Sequence, residues 1–306
     1  MSKYKDQILK LAENTALSNY EISQIVGCSL RTVRRYAGSY INRCRNKLLE
    51  NSSLSVHKTV LLPDIHYPNY EEQILRCINQ FIKEYEPDQL VYMGDQLALD
   101  SISKWNKNKP LLNERKRLIK EYEGFDKDIL QVHERITKPD TKRVFMIGNH
   151  EQRIQWYVEE NPELEGILNI ERFLNLKERG YEVVPYNEVY RIGKLNVIHG
   201  YYWNKYHAAK TVEVFEGNVV YGHVHNPQMF AKMSPVDKKD YHIATSLPCI
   251  CNRKPEYKNN SPNRWINGFG IVEHVPATGF FNLYVIIIPG SSFLWNGKIY
   301  DGSEIE

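Results

Sequence analysis

The chain predicts an α/β fold preceded by a small all-helical segment. Strand-length apolar runs recur along it, each closed by glycine, aspartate, asparagine or histidine. Stretches with helical spacing separate the early runs, whereas strands dominate towards the C-terminus, the pattern of a layered α/β sandwich. The first fifty residues are different. They hold nine Lys/Arg against four Asp/Glu, while the remaining residues hold 31 against 33, so a basic head precedes a near-neutral body.

Tyr4 to Glu13 reads as a helix with Ile8, Leu9 and Ala12 apolar. Ser18 or Asn19 can cap a second helix whose inner face is Ile22, Ile25 and Val26. Gly27 ends it, and Ser29 caps a third that turns Leu30 and Val33 inward. Arg31, Thr32, Arg34, Arg35 and Tyr36 are then left on or near the outer face. The arrangement is similar to the helix-turn-helix of DNA-binding proteins, in which a basic second helix faces the major groove. A DNA partner is expected for this head, by phosphate attraction more than by base readout. A three-helix protein-interaction module with solvated arginines is the plainer reading.

The polar stretch from Asn46 to His57 is the expected linker, giving a domain of residues 1–50 and another of 57–306. In the second, Lys58 to Leu62 is a strand running into Asp64 and His66. Glu71 to Tyr85 is an amphipathic helix, and Gln89 to Met93 a strand ending in Gly94-Asp95. Leu111 to Ile136 has helical spacing, with His133 expected to be a solvated helix residue. Arg143 to Ile147 is a strand that turns at Gly148 into Asn149, His150 and Glu151, followed by a largely helical stretch to Arg179. Leu195 to Ile198 ends in His199, and Asn218 to Tyr221 in Gly222-His223-Val-His225.

Strand ends of an open α/β sheet are where ligands are placed. Five ends here carry Asp64-x-His66, Asp95, Asn149-His150, His199 and His223-x-His225, all oxygen or imidazole groups without a thiolate. Residues two apart on an extended chain point the same way, which accounts for the spacing within Asp-x-His and His-x-His. Such donors suit two borderline-hard divalent ions, manganese first and iron or zinc as alternatives, better than a closed structural zinc site.

Asp-x-His, Gly-Asp, Gly-Asn-His-Glu, His and Gly-His-x-His, in this order over residues 58–275, resemble the calcineurin-like metallophosphoesterase superfamily. The resemblance implies a four-layer α/β/β/α sandwich with a dinuclear metal centre. It implies that Asp64, His66 and His225 hold one ion, that Asp95 bridges, and that Asn149, His199 and His223 hold the other. His150 is implied as the catalytic histidine that does not bind metal. A helix-turn-helix placed before such a domain resembles proteins encoded by phages and prophages. The arginine that usually follows the second motif in the protein phosphatases is missing from Gly94-Asp-Gln-Leu-Ala-Leu-Asp100. Arg153 is a candidate phosphate contact, with helix solvation as the alternative.

These observations converge on hydrolysis of DNA phosphodiesters, with phosphomonoesters or small nucleotide diesters as the alternative substrates. A DNA-binding regulator with an inert metal site is the third reading. Basic stretches with aromatics, around Trp105 and around Arg253, Arg264 and Trp265, can track a backbone and stack bases, or can be ordinary loops with the indole tucked in. The polar start, Met1-Ser-Lys-Tyr, is unlike a secretory signal. The longest aliphatic run, Val285 to Ile288, is too short to span a bilayer. Five cysteines without zinc-type spacing read as reduced thiols. A cytoplasmic location, no membrane and no protein partner are therefore expected.

Overall fold

A computed structural model describes residues 4–12, 17, 19–37, 55–235, 241–255 and 261–303. The expected linker up to residue 54, the cap at Ser18, Glu13 and Cys44 lie outside the described residues. The chain divides into two compact units. One comprises Met1–His57 with Arg191–Leu195 and Glu273–Asn282, and the other comprises the rest.

In the first unit, α1 (Lys5–Ala12), α2 (Asn19–Val26) and α3 (residues 30–37) meet over Ile8, Ala12, Ile22, Val33 and Ala37. Gly27 takes φ +65° between α2 and α3, where a side chain would be strained. Ser29 caps α3: its Oγ accepts the Thr32 N–H at 3.2 Å and lies 2.8 Å from the Thr32 hydroxyl. Ile25, expected inside, is exposed (60%). An eight-residue helix has room for only one buried stripe, and Ile22 with Ser23 occupies it. Arg31, Arg34 and Arg35 are exposed.

The second unit is mixed α/β. The larger sheet runs β11-β10-β1-β2-β3-β4, formed by β1 (His57–Leu62), β2 (Gln89–Tyr92), β3 (Lys142–Met146), β4 (Tyr181–Val184), β10 (Gly268–Val275) and β11 (Phe280–Ile287). The pairs β1–β2, β2–β3 and β3–β4 are parallel, so these strands end on one edge. A second sheet runs β5-β6-β7-β9-β8: β5 (Tyr190–Ile192), β6 (Leu195–Ile198), β7 (Asn218–Tyr221), β8 (Gln228–Met233) and β9 (Tyr241–Ser246). A hairpin of β12 (Ser292–Trp295) and β13 (Lys298–Asp301) turns at Asn296-Gly297, both at positive φ.

Helix α4 (Glu72–Tyr85) buries the expected face, Ile74, Leu75, Ile78, Phe81 and Ile82. The stretch after β2 is not one helix. It breaks into α5 (Pro110–Asn113) and α6 (Leu118–Phe125), which continues through a wide turn at Asp126–Leu130 into α7 (Gln131–Ile136). Such a turn takes in an extra residue and rotates the face that follows. His133 is consequently fully buried rather than solvated, 2.8 Å from the Tyr92 hydroxyl and 2.9 Å from Asn79 Oδ1. Burial lowers its pKa to about 3.

After β3 come α8 (Gln152–Glu160), a single turn at Pro162–Leu164 and α9 (Ile170–Phe173), with α10 (His207–Phe215) after β6. Less of residues 151–179 is helical than expected, because Pro162 and Gly166 (φ +73°) interrupt it. Among the described residues no helix is long and apolar enough to cross a membrane.

Candidate metal centre

The turns after β1, β2, β3, β6 and β7 bring Asp64, His66, Asp95, Asn149, His150, His199, His223 and His225 to one place. His66 Nε2 and His225 Nε2 lie 3.2 Å apart, so a proton or a cation must sit between two lone pairs otherwise facing each other. Asp64 Oδ1 is 3.3 Å from His225 Nε2 and 4.0 Å from His66 Nε2. Asp95 is central: Oδ2 is 3.8 Å from both His66 Nε2 and His150 Nε2, and Oδ1 is 3.3 Å from His199 Nε2. Asn149 Oδ1 is 2.9 Å from His199 Nε2. His223 stands edge-on to His199, ring centroids 5.1 Å apart.

The local backbone is forced into this shape. Asp64, His66, Asp95, His223 and His225 all have positive φ, between 45° and 67°, a region that side-chain-bearing residues seldom occupy. Strain of this kind persists only where the surroundings over-determine it, and it clusters at functional sites. The motif glycines allow the close approach. A Cβ on Gly148 would stand 2.3 Å from the Asp95 nitrogen, and one on Gly222 would stand 2.4 Å from Asp64 Oδ2.

One residue in the third motif had no role in the sequence reading beyond its place there. Buried Glu151 accepts four backbone N–H groups, those of Asp95, Gln96, Leu97 and Gly148, at 2.7–3.0 Å. It ties the turn after β2 to the turn after β3. Arg153 is only 14% exposed at its side chain, so it is not a solvated helix residue. Its Nη2 lies 2.7 Å from His150 Nε2 and its Nη1 donates to the Ala98 carbonyl at 2.6 Å. No sequence signal pointed to Cys251, whose Sγ stands 3.6 Å behind His225 Nδ1. The expected thiols are present: Cys77, Cys249 and Cys251 are buried and unbridged. Of the other basic stretches, Lys104 and Lys107 both turn to Glu160, and Trp105 is 83% exposed.

Burial pushes His66 down, with His150 adding to it, and takes His150 to about 4. Burial alone would lower His199, yet the Asp95 carboxylate outweighs it and lifts His199 to about 10. Burial would raise Asp95, but His150, His199 and His66 around it hold it well below the usual carboxylate range. One carboxylate is thus left charged among crowded imidazoles.

The donor set fits divalent cations. Three groupings of possible ligand atoms lie within 4.8 Å: His66 with His225 and Cys251, His66 with Asp95 and His150, and Asp95 with His199 and His223. His199 Nδ1 donates to the Met93 carbonyl at 2.9 Å, which makes Nε2 the ring nitrogen turned to Asp95 and Asn149. His223 Nδ1 is buried and has no hydrogen-bond partner among the described residues, a cost that a ligand would remove. The proposed DNA contacts, Arg31, Thr32, Arg34 and Arg35, belong to the other unit.

No known protein family and no curated protein matches the chain. Solved structures do. A single mutant of Vps29 from Entamoeba histolytica matches with TM-score 0.35 and 10% identity, covering 76% of this chain and 99% of its own. Wild-type Vps29 of that organism, complexed with zinc, gives 0.34 and 11% over 75% and 98%. Vps29 of Chaetomium thermophilum gives 0.34 and 11% over 78% and 97%. The site's own side chains carry its chemistry.

Proposed function

We propose that the chain is a divalent-metal-dependent phosphoesterase of four-layer architecture that cleaves DNA phosphodiesters, with the N-terminal helices as its DNA-binding head. The observation that carries the chemistry is the gathering of seven oxygen and imidazole donors from both sheets, with the buried Asp95 carboxylate at their centre. Asp64, His66 and His225 would hold one cation and Asn149, His199 and His223 the other, with Asp95 between them. When bound, such a pair supplies Lewis acidity to the phosphoryl group and lowers the pKa of the attacking water.

The chain's own groups do the rest. His150 directs its Nδ1 to the Ala98 carbonyl at 2.8 Å, which turns Nε2 towards Asp95 and Arg153. Arg153 Nη2 donates to that Nε2, so the His150–Arg153 pair can stabilise the leaving oxygen as its charge develops. The Arg153 guanidinium beside His150 would bring the positive charge that the second motif lacks to a non-bridging phosphoryl oxygen. Exposed Arg31, Arg34 and Arg35 on α3 would neutralise duplex phosphates, so binding by the head should weaken steeply with salt.

The test is manganese-dependent hydrolysis of labelled single- and double-stranded DNA beside bis- and mono-p-nitrophenyl phosphate, with His150→Ala as control. Cleavage of DNA and of the diester, lost in the variant, is expected. Hydrolysis of the monoester alone would overturn the phosphodiesterase reading. Removal of residues 1–50 should leave the chromogenic diester activity intact and weaken duplex binding.

A further inference from the structure

The metal centre opens towards one side only partly used by the chemistry above. A small cavity beside His66 and His150 is walled by Asn252 and Trp265. The same two residues border a cleft of about 700 Å3 that continues between Arg253, Lys254 and Asn263, with Glu71 as the one acid among its described lining residues.

The half-buried indole is held firmly. Its ring stands edge-on to His225, centroids 4.3 Å apart. The Trp265 backbone N–H donates to Asn263 Oδ1 at 3.0 Å, and Asn263 Nδ2 donates to the Arg253 carbonyl at 2.7 Å. The Ile266 N–H donates to the His225 carbonyl at 2.9 Å. Trp265, the Arg253 backbone and a candidate metal ligand therefore form one rigid block, the kind of support a preorganised site needs. The indole combines both expectations for this loop, since it packs inward against His225 and still lines the open cleft.

An aromatic ring, two cations and two amides, continuous with a phosphoryl site, are the chemistry of a nucleotide. The indole lines the cleft where a base could pack against it, the cations attract the next phosphate, and the amides meet polar edges. A base inside a duplex has both faces covered by its neighbours, so only an unpaired one can use such a platform. We propose that Trp265, Arg253 and Lys254 form a subsite for the nucleotide adjoining the scissile linkage, and that the strand entering the centre is single-stranded DNA. The inference rests on the phosphodiesterase reading for the identity of the neighbouring group.

The experiment is equilibrium dialysis of the full chain in EDTA against two radiolabelled trimers, d(TTT) and an abasic trimer with the same phosphates. The wild type should bind d(TTT) about tenfold more tightly, the scale of one base stacked on an aromatic ring. Trp265→Ala should erase that preference and Trp265→Phe should keep most of it. Arg253→Ala with Lys254→Ala should weaken both trimers alike and flatten their salt dependence. Equal binding of the two trimers by the wild type, a comparison that needs no variant, overturns the subsite, as does a preference that survives Trp265→Ala. Chelation separates the two readings. Base-dependent binding without hydrolysis of any diester sinks the phosphodiesterase and keeps the subsite, and hydrolysis without base dependence does the reverse.

Discussion

The two sides of the candidate metal centre are held by different means. Around Asp95 the support is oxygen on backbone: Glu151 takes four N–H groups from the turns after β2 and β3, and Asp95 Oδ1 takes the His150 N–H at 2.8 Å. Around His223 and His225 it is thinner. Asp64 receives the His223 N–H on both oxygens, at 3.1 and 2.9 Å, but among the described residues a sulfur alone backs His225 Nδ1 and no group meets His223 Nδ1. The first side is set by the protein's own hydrogen bonds before any ion arrives. The second keeps a buried His223 nitrogen that a ligand would satisfy.

Three measurements test that contrast and a fourth stands apart from it. Asp95→Asn is expected to have the largest effect, with no measurable diester hydrolysis, because it removes the one carboxylate facing both groups of imidazoles. Near wild-type turnover would sink its bridging role. Glu151→Ala comes next, since it leaves buried N–H groups unpaired at roughly 1–3 kcal/mol each. Urea denaturation should show several kcal/mol of lost stability together with lost turnover, and an unchanged midpoint would mean that the stitching is incidental.

Cys251→Ala probes the other side. Outer contacts to a ligating histidine are worth about 10–100-fold in metal affinity. Competition with a chelator should show a loss on that scale with little change in stability. A stability loss as large as that of Glu151→Ala would erase the difference between the sides.

The smallest effect lies outside both. His133 has a folded-state pKa of about 3 against an ordinary 6.5, so the unfolded chain takes up the proton first as pH falls. Stability that is complete above pH 6.5 should therefore decline towards pH 3, by about 2 kcal/mol between pH 7 and pH 5. His133→Gln should remove that slope, and an unchanged pH profile in the variant would show that His133 is not its source.

Much of the architecture was legible because period and punctuation are local. α4 showed its buried face in the spacing of Ile74, Leu75, Ile78, Phe81 and Ile82, and β1, β2, β3, β6 and β7 ended at the expected polar residues. β8 escaped because most of its residues are exposed, so no buried alternation marks it. β12 and β13 were missed although Asn296-Gly297 is a hairpin signal. His133 was misread because one wide turn changed which face of a helix pointed inward, and no spacing rule records such a turn.

The order of residues along the chain was enough for the list of groups and their places at strand ends, since an apolar run closed by glycine and a side chain able to ligate metal is a local pattern. It took the folded arrangement to show that Glu151 stitches two turns, that Arg153 lies against His150, and that Cys251 and Trp265 stand around His225. Arg153 and His150 are 3 residues apart, whereas Glu151 and the Asp95 nitrogen it holds are 56 apart. The Glu151, Cys251 and Trp265 contacts depend on how β1, β2, β3 and β7 are ordered in space, and no local pattern contains that order.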